Sequence, residues 1–129
     1  MARTILRLAS GVAAASMLVT FSTAAFANDP TGTWVRPSTG TQVNFYNCGS
    51  KLCARISAVK DQSRKNTIGT VIVKGATKSG ENTWKGDLLN TENGKTYSGV
   101  FTLESANAMS LKGCVAMVLC SGETWQRVR

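Results

Sequence analysis

The stretch Phe45–Arg55 reads Phe-Tyr-Asn-Cys-Gly-Ser-Lys-Leu-Cys-Ala-Arg and decides the fold of this chain. Two apolar runs meet there at a Gly-Ser-Lys turn that has a cysteine on either side. A second stretch, Leu111–Trp125, repeats the plan with an apolar run, two cysteines separated by five residues, and a run ending in tryptophan. The sequence therefore predicts two β-hairpins, each with a cysteine pair beside its turn.

Short β-rich runs recur at intervals of about ten residues through the chain that follows residue 27, a pattern typical of a sandwich or barrel. Within each run apolar and polar residues alternate, so each strand presents one apolar face. Short connectors, including the hairpin signal Asn93-Gly94, make consecutive strands antiparallel neighbours. Because closure removes exposed edges, we predict an all-β, eight-stranded meander barrel. Its predicted strands are Gly32–Arg36, Thr41–Asn47, Leu52–Lys60, Thr67–Lys74, Asn82–Leu89, Lys95–Glu104, Ala108–Cys114 and Glu123–Val128.

Residues 1–27 have the three regions of a secretory signal peptide. Arg3 and Arg7 form a basic region, Leu8–Phe21 is apolar, and Ala25-Phe26-Ala27 is the small-x-small pattern that signal peptidase accepts. A membrane anchor would need about 20 apolar residues and a stop-transfer flank, which the polar residues that follow do not supply. The sequence predicts cleavage after Ala27, export to the periplasm or medium of a bacterium, and a single mature domain over residues 28–129.

Charge and composition argue against most enzyme classes. The chain has 15 Lys and Arg, 7 Asp and Glu and no histidine, which gives a net charge of +8. Without histidine, nucleophiles activated by that residue are excluded, and no P-loop, Rossmann pattern or distinct carboxylate pair is present. Apart from Arg64-Lys65 the basic residues are scattered singly, which favours a solvated surface over a nucleic-acid site. We predict a monomer that is not an enzyme, has no cofactor and binds no nucleic acid.

Four cysteines in an exported chain indicate two disulfides, for which three connectivities exist. Local pairing of Cys48 with Cys53 and of Cys114 with Cys120 places each bond beside its own turn, within disulfide reach. We favour this pairing over bonds that join one hairpin tip to the other. A four-thiolate zinc site is the alternative, but the oxidising compartment and spacings longer than Cys-x2-Cys argue against it.

The first predicted strand opens with Gly32-Thr33-Trp34, which resembles the Gly-x-Trp motif of lipocalins and related small barrels. In those proteins a C-terminal arginine lies across the tryptophan and closes one end of the barrel. Arg127, in the last predicted strand, is the matching candidate. A guanidinium over an indole face would contribute about 1 kcal/mol.

A closer resemblance extends over nearly the whole mature chain. The motifs that carry it are, in order, Gly32-Thr33-Trp34, Cys48–Ile56, Trp84-Lys85-Gly86, Asn93–Tyr97, Lys112-Gly113-Cys114 and Glu123–Val128. Their order is similar to that of a bacterial family of small exported proteins, the domain of unknown function 2147. At Ala54 that family tends to have glycine, and at Leu89-Asn90-Thr91 it tends to have an aromatic-Asp-Pro turn. The resemblance implies a lipocalin-like β-barrel and supplies no established activity.

Two functions from different classes remain open. The first is a barrel that binds a small apolar or amphipathic molecule of the cell envelope. Eight strands enclose room for side chains or for one small ligand, and we favour a core filled by the side chains themselves. The residues that would either line a cavity or fill it are Phe45, Trp84, Tyr97, Phe101, Met109, Leu111 and Trp125.

The second function is a solid barrel that uses a basic surface on anionic lipid, glycan or another envelope partner. Its candidate residues are Lys51, Arg55 and the connector Lys60–Lys65. Alternation puts Arg55 on the face opposite Leu52 and Ile56, so we expect its side chain on the outside of the barrel.

Overall fold

The computed structural model describes residue 11 and residues 15–18, 29–116 and 119–129. Over these residues the chain forms a closed barrel of eight antiparallel strands arranged in sequence order, which confirms the predicted all-β meander. Most of the predicted signal peptide, residues 1–27, lies outside the described residues. No helix in the described part is long and apolar enough to cross a membrane. The strands are β1 Gly32–Val35, β2 Gln42–Cys48, β3 Lys51–Ala58, β4 Val71–Lys78, β5 Thr83–Asn90, β6 Lys95–Ser105, β7 Ala108–Val115 and β8 Leu119–Arg127.

Because consecutive strands are antiparallel, the connections between them alternate between the two ends of the barrel. The turns after β1, β3, β5 and β7 lie at one end, here called the open end. The turns after β2, β4 and β6 lie at the other, the closed end, together with the start of β1 and the end of β8. The Cys48–Cys53 disulfide therefore joins β2 to β3 at the closed end, and Cys114–Cys120 joins β7 to β8 at the open end.

Alternation along the strands fills the interior with apolar side chains. In β3, Leu52 and Ile56 are buried, and Arg55 between them is exposed, as the sequence predicts. Aromatic rings occupy the centre, where Phe45 meets Phe101 edge-on with ring centroids 6.0 Å apart. Burying each such side chain stabilises the fold by roughly 1.5–3 kcal/mol.

A row of glycines runs across three neighbouring strands. Gly86 on β5 pairs with Gly99 on β6, which pairs in turn with Gly113 on β7. A Cβ atom on Gly86 would lie 2.8 Å from the Cα atom of Ala76, and one on Gly99 would lie 2.8 Å from the Gly86 carbonyl oxygen. The row thus allows backbones to approach and curve where a side chain would hold them apart.

The connector after β3 is more ordered than its polar sequence suggests. Gln62–Thr67 forms a 3₁₀ helix, whose N-cap Asp61 accepts hydrogen bonds from the hydroxyl and backbone N–H of Ser63 at 2.7 and 3.0 Å. These two bonds lower the pKa of the Asp61 carboxyl. Because the helix uses residues through Thr67, β4 begins at Val71 and not at Thr67 as the sequence pattern predicts.

The strand pairing is uneven around the barrel. Among the described residues β5 and β6 share eight pairs, whereas β4 and β5 share two, Thr77 with Lys85 and Lys78 with Trp84. Both of these pairs lie near the closed end. The boundary between the two strands, here called the β4–β5 seam, therefore has no paired residues toward the open end in the described part of the chain. Strand β8 begins earlier than the predicted start at Glu123, because Cys120 already pairs with Cys114.

Candidate ligand-binding cavity

A cavity of about 660 Å³ occupies the open half of the barrel. This volume lies within the range of about 300–1,000 Å³ typical of small-molecule sites. The interior is therefore divided into a closed half filled with side chains and a hollow open half. The apolar wall of the cavity includes Val43, Ile56, Ile72, Leu88, Leu111 and Trp125, and its polar rim includes Arg36, Ser38, Thr39, Asp61, Arg64, Glu92 and Glu123.

The structure divides the candidate lining residues between these two halves. Tyr97, Leu111 and Trp125 line the cavity. The other four are buried outside its lining, so the filled core that we expected is present in one half only. Alternation identifies inward-facing side chains but not their height along the barrel axis, which is why the lining set needs this correction. The four that fill the core are Phe45, Trp84, Phe101 and Met109.

Glu123 organises the polar side of the cavity. Its Oε1 atom accepts hydrogen bonds from Arg36 Nε at 2.6 Å, Trp125 Nε1 at 3.1 Å and Ser38 Oγ at 3.2 Å. The Trp125 side chain is buried, and a buried indole N–H requires an acceptor. No site role was predicted from the sequence for Glu123 or for Arg36. Glu123 could have been recognised from its position two residues before Trp125, which places both side chains on the inner face of β8.

Arg36 also extends across the mouth of the barrel. Its Nη1 atom lies 3.4 Å from Glu92 Oε1, in the turn between β5 and β6. Since β1 and β5 stand on opposite sides of an eight-stranded barrel, the Arg36 side chain spans the opening. We call the chain of contacts Glu123–Arg36–Glu92 the mouth bridge.

The rim carries a second guanidinium, in the connector between β3 and β4. Arg64, in the 3₁₀ helix, lines the cavity and is half-buried. The ion pairs found among the described residues are the two made by Arg36, so in this part of the chain no carboxylate lies within 4.0 Å of Arg64. At the β5–β6 side of the rim, the Tyr97 hydroxyl accepts a hydrogen bond from Asn93 Nδ2 at 2.7 Å, which fixes its ring.

The closed end is held by the predicted pair of Trp34 and Arg127. The guanidinium carbon of Arg127 lies 4.4 Å from the centroid of the buried Trp34 ring. Arg127 also donates hydrogen bonds to three backbone carbonyls, those of Ala106 at 2.7 Å, Thr31 at 2.5 Å and Asp29 at 2.8 Å. It thus joins the first strand, the last strand and the β6–β7 turn. We call this arrangement the closing clasp.

Asp29 supports the closing clasp from the N-terminal side. Its Oδ1 atom accepts hydrogen bonds from the Thr31 hydroxyl at 2.6 Å and from the Thr31 N–H at 2.9 Å. These bonds, helped by the positive charge of Arg127, lower the pKa of the Asp29 carboxyl. The closed end therefore carries an acid that the fold prefers in its ionised form.

The basic residues proposed from the sequence as a surface site lie at different heights along the barrel. Lys51 begins β3 at the closed end, where its stem packs against Gly75. Arg55 lies on the outer wall with its guanidinium carbon 4.9 Å from the centroid of the Tyr46 ring. Lys60–Lys65 belongs to the open end. The three elements are spread along the barrel axis, so a flat anionic surface could not contact all of them through one end of the barrel.

The described part of the chain contains no candidate metal site. There, no group of three or more Cys, Asp or Glu side chains is placed to hold a metal ion. The four thiols that the zinc alternative would need are joined in the two disulfides.

Comparison with known proteins supports the fold and the family. A family model described as "Uncharacterized protein conserved in bacteria (DUF2147)" matches residues 32–127, and no curated protein matches the sequence. The structure is similar to that of protein HP1028 from Helicobacter pylori, which is described as belonging to the lipocalin family. That similarity has a TM-score of 0.66 at 18% sequence identity and covers 78% of this chain and 84% of the other. At this identity it shows a lipocalin-like barrel fold.

Proposed function

The chain belongs to the bacterial DUF2147 family, and we propose that it is an exported binding protein that holds one small amphipathic molecule in its barrel. The observation that carries this proposal is the cavity of about 660 Å³ at the open end. A barrel with a binding role needs a hollow interior, whereas a barrel that acts through its outer surface does not.

The lining of the cavity supports an amphipathic ligand. Its deeper wall is apolar, so a hydrocarbon portion would be removed from water there at a gain of about 25 cal/mol for each Å² buried. Its rim carries charged and hydroxyl groups, which would pair with a polar head group and fix its orientation. A purely polar ligand would leave the apolar wall without a partner.

Several features support export. The signal-peptide pattern of residues 1–27 is one, and the two disulfides are typical of an oxidising compartment. Cleavage after Ala27 would leave intact the carbonyls of Asp29 and Thr31, which receive hydrogen bonds from Arg127. The mature chain would thus keep every contact of the closing clasp.

Fluorescence titration tests the proposal with the neutral apolar probe 1-N-phenylnaphthylamine and the mature chain, residues 28–129. Leu88 is a half-buried residue of the cavity wall, so Leu88→Trp should fill the space and weaken probe binding at least tenfold. The matched control is Val100→Trp, which adds the same side chain on the outer face of β6 and should leave the affinity unchanged.

Two results would contradict the binding proposal. One is equal probe affinity in wild type and in a correctly folded Leu88→Trp variant. The other is binding of a vesicle or glycan that weakens steeply above physiological salt while the cavity variant has no effect, because surface charge interactions are screened over about 8 Å. That outcome would favour the surface-binding alternative.

A further inference from the structure

Resting on the proposed function, we propose that the ligand carries an anionic head group, which replaces Glu92 on Arg36 at the mouth of the barrel. The tail would then lie below the mouth bridge, against the apolar wall that includes Leu111 and Trp125. Arg36 would be the residue that selects the head group.

The hydrogen bonds of Arg36 leave room for such an exchange. A guanidinium has five N–H donors, and among the described residues Arg36 uses Nε for Glu123 at 2.6 Å and Nη1 for Glu92 at 3.4 Å. The short bond to Glu123 holds the base of the guanidinium in place. Its outer nitrogens face the mouth, where an anionic group can accept two parallel hydrogen bonds.

A ligand can readily displace the Glu92 carboxylate from Arg36. The Glu92 side chain is 42% exposed and sits on a turn, so its carboxylate can return to water without crossing the protein. Exposed ion pairs of this kind contribute little to stability, because water and salt screen them. A ligand whose tail is buried at the same time would therefore compete effectively with Glu92 for Arg36.

Apart from Arg36 and Glu92, the charged residues of the mouth are Arg64, Asp61 and Glu123, so the preference for an anion comes from free hydrogen-bond donors and not from net charge. Two of the rim carboxylates already have donors: Asp61 caps the 3₁₀ helix, and Glu123 receives three hydrogen bonds. Arg64, by contrast, lines the same cavity with no ion pair in the described part of the chain. The mature chain would carry a net charge of +6, which is +8 less the two arginines of the predicted signal peptide, and this charge would also steer anions toward the protein.

Three amphiphiles with the same ten-carbon tail test the inference below their micelle concentrations: decanoate, decyltrimethylammonium and decyl maltoside. Affinity is measured by isothermal titration calorimetry, and the Trp125 indole N–H resonance reports entry into the cavity. We expect decanoate to bind most tightly. Arg36→Gln should weaken decanoate about tenfold, since it removes a charge-assisted hydrogen-bond partner, and should change decyl maltoside less than twofold.

Glu92→Gln provides the opposite test because it keeps Arg36 and removes its competitor. Decanoate should bind this variant severalfold more tightly than the wild type. Lys112→Gln is the matched control for a lost positive charge, since Lys112 is exposed on the outer face of β7, and it should leave decanoate affinity within twofold.

The outcomes separate the two proposals. If all three amphiphiles bind equally well, or if decyltrimethylammonium binds best, the head-group inference is wrong and cavity binding stands. Unchanged decanoate affinity in Glu92→Gln would also overturn the inference, and this holds even where Arg36→Gln proves unfolded. If none of the three shifts the Trp125 resonance, the proposed function itself fails.

Discussion

Removal of the Arg127 side chain should open the closed end of the barrel. Arg127→Ala deletes three hydrogen bonds to backbone carbonyls and the stacking on Trp34. Because the freed carbonyls can be partly hydrated, we assign each bond less than the 1.5–3 kcal/mol of a buried charged bond. Together with a stacking contribution of 0.5–1 kcal/mol, the expected loss of unfolding free energy is about 3 kcal/mol.

Urea unfolding of the mature chain, followed by tryptophan fluorescence, measures this loss. For a domain of this size it corresponds to a fall in melting temperature of roughly 12 °C. Arg127→Lys keeps the charge but loses the fork that reaches three carbonyls, so it should recover less than half of the loss. The exposed neighbour Arg129→Ala should have almost no effect. A loss below 1 kcal/mol for Arg127→Ala, or full recovery by lysine, would refute the role of the closing clasp.

Three further predictions concern packing, pH and local stability. Gly99→Ala should cost 1–3 kcal/mol of unfolding free energy, because its methyl group would overlap the β5 backbone, while Gly80→Ala in an open turn should cost far less in the same urea assay. The lowered pKa of Asp29 means that its stabilising effect is present above the unfolded-state pKa and is lost as pH falls through the folded-state value. Unfolding free energies of Asp29→Asn and wild type should therefore converge in acid, and a constant difference down to strongly acidic pH would contradict this sign. In hydrogen exchange, amides of Val71–Gly75 should exchange faster than those of the fully paired β6, and equal protection would show that the β4–β5 seam is as stable as the rest.

Most of the fold follows from short-range patterns in the sequence. The period-two alternation of Leu52, Ala54 and Ile56 correctly places Arg55 outside, and the turn between Cys48 and Cys53 correctly places a disulfide there. These features depend on neighbouring residues alone. Strand starts were less predictable where a local capping bond competes with β propensity, as in the 3₁₀ helix before β4.

The candidate site depends on long-range geometry and was only partly predictable. Arg36 and Glu123 are 87 residues apart, and they meet because β1 pairs with β8 to close the barrel. Contact between Arg36 and Glu92 further requires that β1 and β5 lie on opposite sides, which follows only once the number of strands is known. Tyr97 and Trp125 were recognised as candidates because their ring type and inward face are local properties.

The hollow half of the barrel follows from the order of inward-facing residues on four consecutive strands. On each of β5 to β8 a large side chain toward the closed end is followed, at the next inward position toward the open end, by glycine or a polar residue. Beyond the glycines of β5 and β6, Leu88 and Tyr97 line the cavity. Chain direction alternates between these strands, so the taper cannot arise from one repeated sequence motif and must be specified separately in each. At Gly86 and Gly99 a Cβ atom would lie 2.8 Å from neighbouring backbone atoms, so these glycines allow close backbone approach, whereas Gly113 and Glu123 border the cavity itself. Glu123 is the position where an apolar side chain could have filled the space, and its carboxylate instead accepts hydrogen bonds from Arg36, Ser38 and Trp125. A polar group organised in this way favours a use for the space over incomplete packing. From the closed end toward the open end the inward residues are Trp84 and Gly86, Phe101 and Gly99, Leu111 and Gly113, and Trp125 and Glu123.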